Sequence, residues 1–349
     1  MFAIRPFARR RARCLLALGL TWPLVSGGVQ AAEVTLRLHQ FLPAQANVPA
    51  HVLDVWADRV EADSDGRIEV QRFPSMQLGG KPPELYDQAV DGVADIVWTL
   101  SGYTPGRFAH AEAFELPFMM TDAEATSRAF WQFAEETMMD TELRDVKPLG
   151  LWVHGPGQIH SRIPITLPAD LAGVTLRAPT RTAGMLLSAL GGTSIGMPVP
   201  AVPEALSRGV IDATVIPWEV TTALKVAELV DYHTEFGDAA LYTATFLFVM
   251  NRDRYDALPD DLKAVIDDNS GEAFSAEAGR ITREYDAPAR QLALEAGNTI
   301  IELDEQQVQV WRDAAASTIT TWQQEMDDKG LDGAALVARA RELIADAAK

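Results

Sequence analysis

The chain is 349 residues long and carries 30 Lys and Arg against 49 Asp and Glu, a formal net charge of −19 with histidine neutral. That balance excludes the electrostatics of a nucleic-acid binder, while 48% hydrophobic and 23% charged residues exclude a disordered chain and suffice for two domain cores. A lone cysteine, Cys14, excludes an internal disulfide and a cysteine-rich zinc module.

The first 31 residues stand apart. Arg5, Arg9, Arg10, Arg11 and Arg13 form a basic segment without an acid, Leu15 to Val29 is mostly apolar, and Val29 and Ala31 occupy the two positions a signal peptidase reads. The pattern predicts a secretory signal peptide over residues 1–31. Pro23, Ser26, Gly27 and Gly28 break the apolar stretch, which falls short of the ~20 residues of a membrane span. Cys14 precedes that stretch and is not placed as a lipid acceptor. Cleavage removes five Arg and no acid, leaving 25 basic residues against 49 acidic ones, a net charge of −24 and no cysteine. The mature chain is expected to be an acidic protein of an extracytoplasmic space, most simply a bacterial periplasm, and not itself embedded in a membrane.

Val34-Thr35-Leu36-Arg37-Leu38 alternates apolar and polar residues and predicts a strand. Val52, Val55, Trp56 and Val60 recur at helical spacing until Ser64-Asp65-Gly66 stops them, and Ile68 to Phe73 alternates again. The glycine loop Gln77-Leu78-Gly79-Gly80 precedes a helix opened by Pro82-Pro83, and Gly92 to Trp98 turns into an apolar run that predicts a buried strand. Strands and helices alternating at such short intervals predict α/β organisation with parallel pairing. About 117 residues on the same grammar returns: Pro203-Glu204-Ala205-Leu206 opens a helix, and Gly209-Val210-Ile211-Asp212 repeats Gly92-Val93-Ala94-Asp95 before another apolar strand. Either a common αβ junction recurs by chance or the chain holds two similar lobes. Leu149 to Val153, residues around Val174 to Arg177, and Thr245 to Met250 predict further strands, with a Gly/Pro-rich crossing at His154-Gly155-Pro156-Gly157. From Asp260 onward the pattern is almost wholly helical, with breaks near Pro288, Gly297 and Gly330.

Gly192-Thr193-Ser194-Ile195-Gly196 matches a hydrolase nucleophile pattern, and Asp212 and His233 follow in order. A nucleophile elbow must follow a strand and open a helix; here a helical pattern precedes and Met197-Pro198-Val199-Pro200 follows. His39, His51, His110, His154, His160 and His233 include no helical i, i+4 pair, so no zinc site is expected. No phosphate loop and no dinucleotide fingerprint is present, and no cofactor is expected. Arg177 ends a predicted strand, where its planar fork suits either a surface ion pair or a bidentate grip on a carboxylate ligand. Phe41, Trp98, Tyr103 and Trp218 fall at predicted strand ends, where a cleft between α/β lobes is lined.

Ile68 to Pro74, Gln77-Leu78-Gly79-Gly80, Gly92-Val93-Ala94-Asp95, Phe114-Glu115-Leu116-Pro117-Phe118, Leu171 to Pro179 and Pro203 to Asp212 together resemble the TRAP-type (tripartite ATP-independent periplasmic) solute-binding proteins of the DctP group. The resemblance implies two α/β lobes around a ligand cleft, a long helix spanning both and a helical C-terminus. That divides the chain into lobe I, residues 32–154 and 245–285, and lobe II, residues 155–244 and 286–349. It implies a receptor rather than an enzyme, closing over a small organic acid and delivering it to the small and large subunits of a membrane permease. The family's carboxylate-binding arginine falls on Arg177. Two departures stand out: the first crossing, His154 to Gln158, lacks the second basic residue of sialic-acid-type relatives, and an asparagine common after the Gly-Val-x-Asp strand is Ile216 here. A pocket so changed suits one carboxylate on an apolar or aromatic body, since other polar groups would be left desolvated and unpaired. Arg177 is thus expected to hold the carboxylate, Phe41, Trp98, Tyr103, Trp218 and Ile216 to surround the body, and His154 or Glu219 to supply polar contacts. An ABC-type receptor and an extracytoplasmic serine hydrolase are the alternatives.

Overall fold

In the computed structural model of the chain, residues 1–2, 32–237 and 239–349 are described, and the signal-peptide segment beyond its first two residues lies outside them. The alternating Val34–His39 run builds β1, burying Val34, Leu36 and Leu38. After α1 (Asp54–Asp63) comes β2 (Ile68–Phe73), which pairs with β1 in parallel along its whole length. Then α2 (Leu85–Val90) returns the chain to β3 (Ile96–Leu100) on the other side of β1. Gly92 to Asp95 is therefore the turn into the strand rather than part of it. Next come α3 (Ala123–Thr137), capped by Asp122 on the Ala125 N–H, and β4 (Val146–Val153).

The chain then builds β5 (Gln158–Ser161), β6 (Thr175–Ala178), α4 (Arg181–Ala189), β7 (Thr193–Gly196), α5 (Val202–Ser207), β8 (Ala213–Ile216), α6 (Trp218–Leu224) and β9 (Tyr232–Glu235). With β10 (Thr245–Asn251), buried at every position, it returns to the first sheet and lies antiparallel between β3 and β4. After α7 (Arg252–Asp256), α8 (Asp260–Asp268), α9 (Glu272–Glu284) and α10 (Asp286–Glu295) come β11 (Thr299–Glu302), α11 (Glu305–Asp328) and α12 (Gly333–Ala347). The result is two sheets, ordered β2-β1-β3-β10-β4 and β11-β9-β5-β8-β6-β7. The first sheet with its helices is called lobe I and the second lobe II.

The C-terminal third departs from the helical reading in two ways. Thr299-Ile300-Ile301-Glu302 forms β11 because this β-branched run finds β9 as a parallel neighbour. The helical break falls at Tyr285, not Pro288. Restarting at Asp286 puts the proline in the first turn of α10, where its missing N–H costs no hydrogen bond. That break lies where the chain passes between lobes, since α9 packs on α3 and β4 whereas α10 packs on α6. The chain passes back at the end of α11: Trp311 near its start donates to the Thr166 carbonyl at 3.0 Å, and α12 packs on α3.

The Gly-Val-x-Asp repeat is one device built twice. Gly92 and Gly209 take φ of +71° and +68°, a region that glycine enters without strain. Asp95 N–H donates to the Arg37 carbonyl at 3.0 Å while its carboxylate accepts from Arg37 N–H at 2.7 Å. Asp212 does the same with Thr175, at 2.8 and 2.9 Å. Each acid clips the entering strand, β3 or β8, to its parallel neighbour, β1 or β6.

Candidate ligand-binding site

The clip at Thr175 sets the register of β6, so that Arg177 pairs with Thr214 of β8 and Ile195 of β7 inside the second sheet. Its side chain is 1% exposed. Nε donates to the Met197 carbonyl at 3.0 Å and Nη1 to the Val215 carbonyl at 3.2 Å. These neutral acceptors hold the guanidinium in place without cancelling its charge, and among the described residues no carboxylate pairs with it. Burial pushes its pKa down, but an arginine stays charged. Burying an ion costs several kcal/mol unless a partner of opposite charge is supplied. A guanidinium so placed has the chemistry to take an anion.

Arg177 opens onto a cavity between the lobes. The lobe I wall is aromatic. Phe41, just past β1, stacks on Trp98 of β3 with ring centroids 4.5 Å apart and meets Tyr103 edge-on at 5.5 Å. Phe246 of β10 lies 5.1 Å from Trp98, ring centroid to ring centroid. Pro179, Val199, Ile216 and Pro217 complete an apolar wall from lobe II.

Phe41, Trp98, Tyr103, His154, Arg177, Ile216 and Glu219 all line this cavity. Trp218 does not. As first residue of α6 it turns away beneath α10, packing on His160, His233 and Ala289 and donating from Nε1 to Glu235 at 2.8 Å. One position along the helix rotates a side chain by about 100°, so Glu219 faces the cavity instead. His154 contributes a ring face but no free polar atom: Nε2 accepts from the Ala244 N–H at 3.0 Å, which leaves Nδ1–H to donate to the Gly155 carbonyl at 2.5 Å. Burial lowers its pKa to about 4, so it is neutral. Glu219 is buried with Oε2 unpartnered. Desolvation, reinforced by the nearby charge of Asp286, raises its carboxyl to about 8.

Sequence reasoning missed Phe246 and Tyr242. Every residue of β10 is buried, so periodicity cannot tell which face looks into the cleft. Tyr242, in the loop that crosses back to lobe I, donates to the Val215 carbonyl at 2.9 Å and fixes the same peptide that Arg177 uses. Gly157 of the first crossing is the one trace in the sequence, because a Cβ there would lie 2.1 Å from the Tyr242 ring.

The lobes meet at the mouth of the cleft. A Cβ on Gly102 would sit 2.4 Å from Cγ2 of Thr180. Tyr103 Oη accepts from the Val199 N–H at 2.9 Å, Thr182 donates to Glu115 at 2.8 Å, and Arg181 grips Glu112 with two hydrogen bonds. Tyr103 and Pro179 line both the inner cavity and the groove outside it.

The hydrolase elements do not converge. Ser194 sits on the edge strand β7, 3.1 Å from Ser188 Oγ. Asp212 is engaged with the Thr175 backbone, and His233 Nδ1 lies 2.6 Å from His160 Nδ1. The described residues hold no cluster of His, Cys, Asp and Glu that could bind a metal ion.

Residues 40–325 match the model of the DctP family, bacterial extracellular solute-binding protein family 7. The chain belongs to this family. It is a TRAP-type solute-binding protein, a receptor rather than an enzyme, and no described helix is long and apolar enough to cross a membrane. It is 47% identical to a TRAP solute-binding protein of Rhodoferax ferrireducens crystallised with copurified benzoate, with a TM-score of 0.88 over 90% of this chain and 98% of that one. A marine metagenome TRAP solute-binding protein specific for aromatic acid ligands, crystallised with 3-hydroxybenzoate, is 46% identical with a TM-score of 0.88 over 91% and 100%. The C4-dicarboxylate-binding periplasmic protein DctP of Rhodobacter capsulatus is 25% identical over 68% of this chain and 71% of its own length.

Proposed function

We propose that this receptor captures an aromatic monocarboxylate of one-ring size in the periplasm, having been exported by the signal peptide of residues 1–31, and hands it to the two membrane subunits of a TRAP permease. The observation that carries the reading is the buried Arg177 guanidinium, free of any acidic partner among the described residues, opening onto the Phe41, Trp98 and Tyr103 wall. One carboxylate satisfies the fork, and the ring packs on aromatic faces that offer little to a second charge. Relatives bound to benzoate and 3-hydroxybenzoate support the same class.

The test is thermal unfolding of the mature protein with benzoate, hydroxybenzoates, succinate and malonate. A ligand at 100 times its Kd adds about 2.7 kcal/mol of stability. Aromatic monocarboxylates should raise the midpoint and the C4 and C3 dicarboxylates should not; a shift by dicarboxylates alone overturns the reading.

A further inference from the structure

Glu219 brings a second polar group to the cleft, and Asn47 lies beside it. Glu219, in the first turn of α6, lines the cavity from lobe II, and its Oε2 has no hydrogen-bond partner. Asn47, in the helical turn between β1 and α1 and so on lobe I, is 8% exposed, and neither its Nδ2 nor its Oδ1 has a well-formed hydrogen bond. The two side chains lie within hydrogen-bonding reach of each other, and Asn47 eases the rise in the Glu219 pKa from there. A contact between the two leaves donors and acceptors over, and since buried polar groups are nearly always hydrogen-bonded, that surplus suits a group that arrives when the cleft fills.

The chemistry of that group follows from the surroundings. Glu219 N–H is already held by Asp286 Oδ1 at 2.9 Å, and Asp286 Oδ2 takes Arg283 at 3.2 Å. Burial and Asp286 keep the Glu219 carboxyl largely protonated at neutral pH, with one O–H donor and one carbonyl acceptor. Asn47 likewise offers both a donor and an acceptor. A hydroxyl, itself both donor and acceptor, satisfies such a pair. A second carboxylate accepts only, leaves the Asn47 carbonyl unmet and adds negative charge beside Asp286. Arg177, the cation on the same cavity, is occupied by the ligand's own carboxylate.

Resting on the function proposed above, we infer that Glu219 and Asn47 form a second polar subsite that selects acids carrying a hydroxyl on the aromatic ring, away from the carboxylate. Calorimetric titration of benzoate and of 2-, 3- and 4-hydroxybenzoate into the mature protein tests it. The 3- or 4-isomer should bind about tenfold more tightly than benzoate. The 2-isomer, whose hydroxyl stays beside the carboxylate at Arg177, should gain nothing. In Glu219→Leu the preference should fall to about one with benzoate still bound, while Glu219→Gln, which retains a donor and an acceptor, should keep most of it; Asn47→Leu should weaken the preference as well. Equal binding of benzoate and its 3- and 4-hydroxy derivatives by the wild type, or a preference that survives Glu219→Leu, overturns the subsite while leaving the aromatic-acid reading intact. Failure of benzoate and all three derivatives to bind overturns both.

Discussion

His39 and Arg177 occupy the same place in two copies of one pattern. Each lies two residues beyond the residue that the Gly-Val-x-Asp acid clips, on a strand flanked by two parallel neighbours. Each reaches the loop after the next strand: His39 Nε2 accepts from the Leu78 N–H at 3.3 Å, and Arg177 Nε donates to the Met197 carbonyl at 3.0 Å. There the likeness ends. His39 Nδ1 finds Gln88 Oε1 at 2.7 Å, so every polar atom of its ring is served from within lobe I. Arg177 keeps a formal charge that lobe II does not cancel. One strand position thus serves the fold in one lobe and, on the function proposed, the ligand in the other, and the difference is whether the protein itself completes the hydrogen bonding.

The largest effect that can break this comparison is on binding. Arg177→Met should weaken benzoate by about 30-fold to a few thousand-fold, the ~2–5 kcal/mol of a truncated buried charge contact, while calorimetry of His39→Met should find the affinity within about threefold of wild type. The same pair should invert in stability. His39→Met strands a buried acceptor and a backbone donor and should cost about 1–3 kcal/mol in denaturant unfolding, whereas Arg177→Met removes an uncompensated buried charge and should leave the ligand-free protein as stable or more so.

The strand clips should sharpen the comparison next. Asp95→Ala and Asp212→Ala each orphan a backbone N–H and should each cost roughly 1–3 kcal/mol. Asp95 should sit at the upper end because it also holds the Arg37 guanidinium, Nε to Oδ2 at 2.9 Å.

The smallest effect is in pH. Glu219 and Asp286 are raised to about 8 and about 7 by burial. Their native forms bind protons more tightly than the unfolded chain does, so the stability they support is complete below their unfolded values and is lost as pH rises through about 7 to 8. His154, lowered by burial to about 4 from 6.5, works the other way and costs stability as pH falls below 6.5. His160, His233 and His39 shift in the same direction as His154. The midpoint of thermal unfolding should therefore peak near pH 6.5 and decline toward pH 8.5, a decline that Glu219→Gln should flatten.

Much of this was legible in the residues. Alternation and glycine punctuation mark β1, β2, the turn into β3 and the second Gly-Val-x-Asp copy, and a family resemblance puts Arg177 at the carboxylate. The short strands β5, β9 and β11 were not visible, because runs such as Tyr232–Glu235 and Thr299–Glu302 are strands only by virtue of the partners they meet. Trp218 was misplaced for a related reason. Adjacency to a strand end locates the helix start but not which of two successive side chains the helix turns inward, and Glu219 took the inward place. The orphaned atoms of Asn47 and Glu219 belong to different lobes, and only the folded chain brings them together.

The missing side chain at Gly102 has a consequence in time. Thr180 is pressed against that backbone and Tyr103 is bonded across the gap to Val199, so the lobes touch at the mouth of the cleft. On the function proposed, an acid in the cleft should stay longer the longer that contact holds. A single methyl group at Gly102, 2.4 Å from Thr180 Cγ2, should hold the mouth apart and speed the release of a bound acid.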